Sequence, residues 1–307
     1  SSFLFIFFPL VYFVLYMEKV QTGRVIEFYS NSCLVDIDGL KTQCSILGKQ
    51  DIVVGDSVNL EYQNKNDPKS ALIISRLSRV SELKKKSIRT SKVIAANITH
   101  VGILLVQNPT TSTEFIDKWI ASSKASNIEP FIINNKIDID MPSTYLDKVK
   151  IYKNIDIKIF NISAKDSTGL ADLTNYLQDK CSIFVGNSGA GKSTLTSKLT
   201  GVDIKTKTLS NNQGRHTTSI SSLYMLPKNI EIIDSPGVRD VPIEGLTKEE
   251  ITRGFYEIYE ASKLCRFSNC NHKDDEGCNV VSMISDGEIS KSRYNNFIKF
   301  LEQISDE

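Results

Sequence analysis

The feature that most constrains the fold is a glycine-rich segment that joins an apolar run to a helical pattern. Residues 186–193 read Gly-Asn-Ser-Gly-Ala-Gly-Lys-Ser and match the GxxxxGK(S/T) pattern of a phosphate-binding loop. Such a loop needs a strand before it, here CSIFVG at 181–186, and a helix after it. Backbone N–H groups and the helix N-terminus then surround the phosphates. The chain is therefore expected to contain an α/β unit with a nucleotide site at the carboxyl end of that strand.

This loop is expected to hold a nucleoside triphosphate and its metal ion. Lys192 would reach the β- and γ-phosphates, and the Ser193 hydroxyl would bind Mg²⁺. The predicted phosphate-binding residues are Gly186, Asn187, Ser188, Gly189, Ala190, Gly191, Lys192, Ser193 and Thr194.

Two other segments predict that the base is guanine. Residues 135–138 read Asn-Lys-Ile-Asp, which matches NKxD, and residues 163–165 read Ser-Ala-Lys. The Asp138 carboxylate can accept from both the N1–H and the exocyclic amine of guanine, whereas adenine would leave it unpaired. Lys136 can lay its stem on the base, Asn135 can tie the loops together, and the Ser-Ala-Lys segment of GTPases offers a backbone N–H to the guanine carbonyl. The predicted base-binding residues are Asn135, Lys136, Asp138, Ser163, Ala164 and Lys165. GTP and GDP are therefore the expected ligands.

Two segments near residues 214–237 have the pattern of elements that sense the γ-phosphate. Residues 234–237 read Asp-Ser-Pro-Gly after the strand IEIID, so Asp234 would order Mg²⁺ through water and the Gly237 N–H would contact the γ-phosphate. Upstream, residues 214–218 read Gly-Arg-His-Thr-Thr in a polar loop, where either Thr217 or Thr218 would bind Mg²⁺. The candidate catalytic residues are Lys192, His216, Thr217, Thr218, Asp234 and Gly237, and the candidate Mg²⁺ ligands are Ser193, Thr217, Thr218 and Asp234.

Val238 occupies the position at which Ras-like enzymes carry a water-orienting glutamine. Because a valine side chain cannot hydrogen-bond water, intrinsic hydrolysis is expected to be slow, and another group must position the nucleophile. His216 is a candidate for that role, and a surface-loop histidine without a catalytic role is the alternative.

The motifs run in an unusual order along the chain. The base-binding segments precede the phosphate loop, and the Asp-Ser-Pro-Gly segment comes last. Ordinary GTPases begin with the phosphate loop, but a circularly permuted chain can form the same sheet because domain termini often lie close together. Alternating strand and helix patterns therefore predict an α/β circularly permuted P-loop GTPase domain with a mostly parallel sheet over residues 93–243.

The residues before this domain have a different pattern. Residues 17–78 contain five short apolar strands separated by glycines and polar stretches, which predicts an all-β barrel of the OB type, with a generic small β-domain as the alternative. Residues 79–92 are expected to form a basic linker. The wider stretch 69–92 has a net charge of +7, which fits either a contact zone for a phosphate backbone or a solvated linker.

Three of the six cysteines surround one of only three histidines. Cys265, Cys270, His272 and Cys278 form a Cys₃His set that is typical of a closed structural Zn²⁺ site, and reduced core cysteines beside a surface histidine are the alternative. Such an ion would stabilise a small helical domain over residues 244–307, whose net charge of −5 argues against broad RNA binding there. The other cysteines are expected to be small buried apolar side chains: Cys33, Cys44 and Cys181.

Residues 1–16 are apolar nearly throughout and are followed directly by Met17. A helix of this length spans about 24 Å, which is short of the roughly 30 Å hydrocarbon core of a bilayer, and Pro9 would interrupt it. We interpret the segment as translated upstream sequence, with a membrane or organelle-targeting leader as the alternative. A cytoplasmic protein without membrane association is expected.

The motifs, their order and the flanking domains resemble the RsgA (YjeQ) family of circularly permuted GTPases over residues 22–304. The residues that carry the resemblance are VVGDSV, KVIAANI, NNKID, ISAK, GNSGAGKST, GRHTTS, DSPGV and the terminal cysteine–histidine cluster. The resemblance implies an OB domain, a permuted GTPase and a zinc domain, with Zn²⁺ and Mg²⁺ as cofactors. It also implies the small ribosomal subunit and its rRNA as partners, with GTP hydrolysis stimulated by the subunit during late maturation and release afterwards. A monomer that binds no DNA is expected.

Two other functions remain open from the sequence. One is a nucleic-acid-binding module whose GTPase domain senses nucleotide but barely turns it over, and stimulation of hydrolysis by small subunits distinguishes it from the first. The other is a P-loop kinase or ATPase, against which the NKID and Ser-Ala-Lys segments argue.

Overall fold

The computed structural model describes residues 20–29, 31–62, 70–87, 89–204, 221–235, 238, 240–273 and 275–305. The apolar N-terminal stretch therefore lies outside the described residues. The strands are β1 Gln21–Tyr29, β2 Ser32–Ile37, β3 Leu40–Ile46, β4 Ser57–Tyr62, β5 Ser70–Arg76, β6 Glu82–Lys86, β7 Ser91–Ala96, β8 His100–Leu105, β9 Glu129–Asn135, β10 Ile159–Ile162, β11 Cys181–Val185, β12 Ser222–Leu226 and β13 Ile230–Asp234. The helices are α1 Thr113–Ala125, α2 Ser143–Lys153, α3 Leu170–Tyr176, α4 Lys192–Thr200, α5 Lys248–Arg253, α6 Tyr256–Ser262, α7 Asn279–Ser285 and α8 Lys291–Ser305.

The first five strands form a closed barrel. Strand β1 pairs antiparallel with both β2 and β4, β2 pairs with β3, and β5 joins β3 in parallel and β4 antiparallel. Alternate residues point inward, as in β2, where Cys33, Val35 and Ile37 are buried and the residues between them are partly exposed. The five-stranded N-terminal barrel predicted from the sequence is confirmed.

The α/β domain that the sequence predicts to be a GTPase is built on a sheet with helices on both faces. Its strand order is β10-β9-β8-β11-β13-β12, and these strands are parallel except for β12, which runs antiparallel to β13. Helices α1 and α2 bury Trp119 and Tyr152 against one face, while α3 and α4 bury Leu173 and Leu195 against the other. The carboxyl ends of the parallel strands therefore meet at one edge, where the sequence motifs lie.

The barrel and the GTPase sheet are one continuous sheet. Strand β1 of the barrel pairs antiparallel with β12 through Glu27 and Ser222, which joins eleven strands. Beside this junction, Arg24 Nη2 lies 2.6 Å from Glu231 Oε2 of β13, and Nη1 of the same arginine donates to the Gly55 carbonyl. The sequence did not predict this junction, because the paired residues lie far apart along the chain.

The segment expected to be a basic linker contains a β-hairpin instead, formed by β6 and β7. Part of its positive charge is paired inside the protein. The buried Arg79 side chain lies 2.7 Å from Asp56 and 2.9 Å from Glu82, and Lys86 Nζ lies 2.6 Å from Glu250.

The antiparallel ladder between β6 and β7 forms the hairpin. The Lys86 ion pair attaches the hairpin to α5, and the Ala96 N–H attaches it to the barrel by donating to the Val54 carbonyl at 3.0 Å. The domain boundaries drawn from the sequence remain a prediction.

The C-terminal helices pack on α1 of the GTPase domain. Their core contains the buried side chains of Phe255, Phe297 and Phe300. The fully buried Arg293 of α8 lies 2.7 Å from Asp117 of α1 and 2.6 Å from Glu257 of α6. Among the residues described, no helix combines the length and apolar character needed to cross a bilayer.

The three cysteines outside the terminal cluster are buried, as predicted. Burial raises the pKa of Cys33 to about 12 and that of Cys44 to about 11, and it also raises the pKa of Cys181. All three are therefore neutral thiols at physiological pH and act as small apolar side chains.

Candidate nucleotide site and metal centre

The predicted phosphate loop lies between β11 and α4, as its pattern requires. Gly189 and Gly191 have φ angles of +79° and +96°, a left-handed conformation that favours glycine. At Gly191 a Cβ atom would also lie only 2.5 Å from Nδ2 of Asn135, so a side chain there would collide with the base-binding segment. Lys192 begins α4, and its ammonium group donates to the carbonyls of Gly186 and Asn187, the latter at 3.2 Å.

The buried side chain of Asn135 connects three of the predicted segments. Its Nδ2 donates to the Ala190 carbonyl of the phosphate loop at 3.0 Å, and its Oδ1 accepts from the Ala164 N–H at 3.0 Å. The neighbouring Lys136 donates to the Gly189 carbonyl at 2.8 Å. The structure thus brings together NKID, Ser-Ala-Lys and the phosphate loop, although they are separated by up to 55 residues.

The other base-binding candidates lie in the two loops that follow β9 and β10. Asp138 and Lys165 are exposed, whereas Ser163 and Ala164 are buried beneath them. The Ser163 hydroxyl accepts weakly from the Asp166 N–H at 3.4 Å, which shapes the turn that follows β10. An exposed carboxylate at Asp138 is accessible to a ligand, as base recognition requires.

Asp234 ends β13, the strand beside β11 in the parallel sheet, and so lies at the same edge as the phosphate loop. The next residue, Ser235, is buried, and its Oγ lies 2.7 Å from Oγ of Ser221. Val238 is also buried and packs in the core shared with α1, which leaves no polar group at the position of the missing glutamine. His216, Thr217, Thr218 and Gly237 lie outside the described residues.

Sequence reasoning missed two contacts at this edge. Lys136 Nζ also donates to the Asn108 carbonyl at 2.6 Å, and Pro109 lies against Gly189, so the loop after β8 supports the phosphate loop. The Asn-Pro dipeptide after a buried strand is a turn signal that could have indicated a loop here, but not its contact. The other missed contact is the Ser221–Ser235 hydrogen bond, for which the sequence has no local signal.

The four predicted metal ligands converge at the other end of the molecule. One ligand atom from each of Cys265, Cys270, His272 and Cys278 lies within 4.8 Å of the others. The Cys265 and Cys278 sulfurs are 3.9 Å apart, and His272 Nδ1 lies 3.6 Å and 3.7 Å from them. Because tetrahedral Zn²⁺ has bonds of about 2.0–2.3 Å to such ligands, separations near 3.7 Å between ligand atoms fit an ion at their centre.

The backbone and the protonation state of His272 both suit a metal ligand. Its φ of +63° is unusual for a residue with a side chain, and its carbonyl accepts from the Tyr294 hydroxyl of α8 at 2.7 Å. Burial, together with the charge of Lys248, lowers the pKa of His272, so the imidazole is neutral at physiological pH. Neutral imidazole is the form that binds a metal ion.

Comparison with known proteins places the chain among circularly permuted GTPases. A sequence model of the RsgA GTPase family matches residues 76–244. The small ribosomal subunit biogenesis GTPase RsgA of Flavobacterium psychrophilum is 34% identical over 285 residues, which cover 87% of each protein. The protein of that name from Chlorobaculum tepidum is 27% identical over 94% of this chain and all of its own length.

Solved structures agree with the sequence matches. The crystal structure of YjeQ from Thermotoga maritima has a TM-score of 0.73 at 29% identity and covers 94% of this chain and 99% of its own. YloQ, described as a circularly permuted GTPase, has a TM-score of 0.69 at 25% identity, with 94% and 96% covered. The permuted fold predicted from the motif order is confirmed, and the chain belongs to the RsgA family of GTPases.

Proposed function

We propose that this protein binds the small ribosomal subunit and hydrolyses GTP to GDP and phosphate during late maturation of that subunit. The observation that carries the proposal is Asn135, which hydrogen-bonds both the phosphate loop and the Ser-Ala-Lys segment. This contact favours a single guanine nucleotide site over three unrelated motifs. The names of the relatives, small ribosomal subunit biogenesis GTPases, support the partner.

In this proposal the phosphate loop surrounds the phosphates and Lys192 contacts the β- and γ-phosphates. Ser193 and one of the two threonines at 217 and 218 would hold Mg²⁺, and Asp234 would order it through water. When bound, the ion would neutralise charge on the phosphates. The exposed Asp138 recognises the base, and the backbone N–H of Ala164 or Lys165 contacts its carbonyl oxygen. The Gly237 N–H contacts the γ-phosphate.

We further propose that hydrolysis is slow until the subunit docks. The buried Val238 cannot orient a water molecule, so another group must do so. His216 is our candidate for that group. His216 directly precedes the threonines at 217 and 218 in the sequence, so we propose that docking of the subunit places its side chain at the γ-phosphate.

The contact with rRNA would use the tip of the β6–β7 hairpin. Lys85 and Lys92 are paired across the hairpin, and together with Arg89 they are exposed. None of the three forms an ion pair with the described residues, in contrast to Arg79, Lys84 and Lys86. Their charge is therefore available for phosphate groups. We propose a monomeric cytoplasmic protein that binds no DNA.

The Cys₃His cluster would hold one structural Zn²⁺. Cys265, Cys270, His272 and Cys278 would fill all four positions of a tetrahedral ion, which would leave no open position for catalysis. The ion would fix the loop between α6 and α7, a region too small to be stabilised by its own core.

The experiment is GTP hydrolysis by the purified chain with and without small ribosomal subunits, with ATP and large subunits as controls. We expect stimulation by small subunits on the order of 100-fold or more, with GTP alone as substrate. The Lys192→Ala variant should abolish turnover and leave the circular dichroism spectrum unchanged. Tight GTP binding without stimulation would instead favour the nucleotide-sensing module.

A further inference from the structure

Two serine hydroxyls meet where the predicted Mg²⁺-binding segments join the sheet. Ser221 Oγ and Ser235 Oγ are 2.7 Å apart, and Ser235 is buried with 5% of its surface exposed. Ser235 follows Asp234 directly, and Ser221 comes three residues after Thr218. The hydrogen bond therefore connects two residues that lie close in the sequence to proposed Mg²⁺ ligands, Ser235 to Asp234 and Ser221 to Thr218.

The neighbouring strands fix where this bond can form. Strands β12 and β13 are antiparallel, and the last registered pair of their ladder is Ser222 with Asp234. Ser221 immediately precedes β12 and Ser235 immediately follows β13, so the two residues face each other just beyond this last pair. Their side chains add a hydrogen bond at the end of the β12–β13 ladder. Asp234 is the last residue of β13 and directly precedes Ser235, so a change in the backbone at Ser235 can be transmitted to the Asp234 side chain.

We propose that the Ser221–Ser235 hydrogen bond positions the Asp234 carboxylate for Mg²⁺ and so sets how strongly the metal enhances GTP binding. The inference rests on the proposed function, because it assigns these residues to the same nucleotide site. A carboxylate that acts on the metal through a water molecule must be held within about 0.5 Å of its productive position. Loss of the Ser221–Ser235 hydrogen bond would remove a restraint on the backbone at Ser235, the residue that follows Asp234. Neither serine contacts nucleotide in this proposal, so both are positioning residues.

Burial of a serine in this sheet does not by itself require its hydroxyl to form a hydrogen bond. Ser182 in β11 is fully buried, and its hydroxyl finds no hydrogen-bond partner among the described residues. A buried serine in this sheet can thus persist without a bond. Ser182→Ala is therefore a matched control that removes a buried hydroxyl from the same sheet without removing a contact.

The test measures the affinity of the full chain for a non-hydrolysable GTP analogue, with Mg²⁺ and with excess EDTA. The informative quantity is the ratio of the two affinities, because a loss of general stability does not change it. Since the net contribution of a typical hydrogen bond between neutral groups corresponds to a factor of about 2 to 10, we expect Ser221→Ala and Ser235→Ala each to reduce the ratio by that factor. The double variant should reduce the ratio no further than either single variant, because each substitution alone already removes the same hydrogen bond. Ser221→Thr, which keeps a hydroxyl, and Ser182→Ala should match the unmodified protein.

The outcomes separate the inference from the proposed function. An unchanged ratio in both alanine variants, or additive losses in the double variant, would overturn the positioning role while the proposed GTPase stands. A lower melting temperature with an unchanged ratio would show a structural bond only and would also overturn it. An unmodified chain that binds no GTP analogue would overturn both.

Discussion

Base selection in the proposed site depends on a single exposed carboxylate. We expect Asp138→Asn to weaken GTP binding about 10- to 100-fold, because two charge-assisted hydrogen bonds to guanine are lost. The amide should instead favour xanthine nucleotides, whose carbonyl can accept from it. Competition between GTP, XTP and ATP for a fluorescent guanine nucleotide measures the change.

Asp140→Asn is the matched control for this prediction. Asp140 is also exposed and lies two residues further along the same loop, but it is outside the NKxD pattern. It should leave all three affinities unchanged. GTP affinity that is the same in Asp138→Asn as in the unmodified protein would contradict the base-binding assignment.

At the level of residues, the sequence predicted which segments come together better than it predicted the contacts between them. The NKxD pattern singled out Asn135 and Lys136, and both contact the phosphate loop. The same pattern could not predict that Lys136 also reaches Asn108, or that Ser221 meets Ser235. A sequence motif indicates the residues that are needed to bind a ligand. The contacts of Lys136 with Asn108 and of Ser221 with Ser235 depend instead on which loops the tertiary fold brings together.

At the level of elements, the close approach of the barrel to the β6–β7 hairpin requires a glycine. Gly55 has a φ of +88°, and a Cβ atom there would overlap the carbonyl oxygen of Ala96. We expect Gly55→Ala to lower the free energy of unfolding by about 3 kcal/mol, from backbone strain plus the overlap. Urea unfolding followed by circular dichroism measures it.

Gly39 isolates the contribution of the overlap. It has nearly the same φ, +89°, but no atom lies within 4 Å of its would-be Cβ. Gly39→Ala should therefore cost only the backbone strain, about 1 kcal/mol. Equal losses in the two variants would show that the hairpin moves away freely and is not fixed to the barrel.

The elements themselves were largely predictable, and their long-range pairing was not. Alternation of apolar residues located the barrel strands, and the spacing of Phe115, Ile116, Trp119 and Ile120 located α1. Strand β12 and both strands of the hairpin, β6 and β7, were missed. Strand β12 was missed although it forms a short hairpin with β13, because its five residues, SLYML, alternate only weakly between buried and exposed positions. Its pairing with β1 could not be predicted, because Glu27 and Ser222 lie far apart along the chain. Strand β6 has the sequence ELKKK, and its three consecutive lysines favoured a basic linker over a strand.

At the scale of the whole molecule, a buried charge cluster joins the C-terminal helices to the GTPase domain. Arg293 and Asp117 are almost completely buried, and Asn296 and Tyr152 also donate to the Asp117 carboxylate at 2.7 Å and 3.0 Å. The adjacent Tyr294 holds the carbonyl of His272. Helix α8 therefore contacts both the GTPase domain and the candidate metal loop with consecutive residues.

We expect Arg293→Met to lower the free energy of unfolding by about 3–5 kcal/mol, because it leaves the Asp117 charge buried without its partner. Lys299→Met is the control on the same pair of helices. The half-exposed Lys299 lies 2.8 Å from Glu114, and removal of such a surface pair should cost less than about 1 kcal/mol. Urea unfolding of both variants tests this, and similar losses would contradict the role of the buried cluster.

Barrel strand β1 contacts both β12 and β13, the strand that ends at Asp234, since it pairs with β12 and its Arg24 lies 2.6 Å from Glu231 of β13. A subunit that docks on the barrel can therefore act on these strands directly. We expect Arg24→Met to reduce the maximal GTPase rate at saturating small subunits severalfold, while co-sedimentation with subunits and GTP affinity stay unchanged. Lys124→Met, which breaks an ion pair of the same length inside the GTPase domain, should leave all three unchanged. If Arg24→Met weakens subunit binding instead of the maximal rate, the arginine serves docking, and stimulation travels by another route.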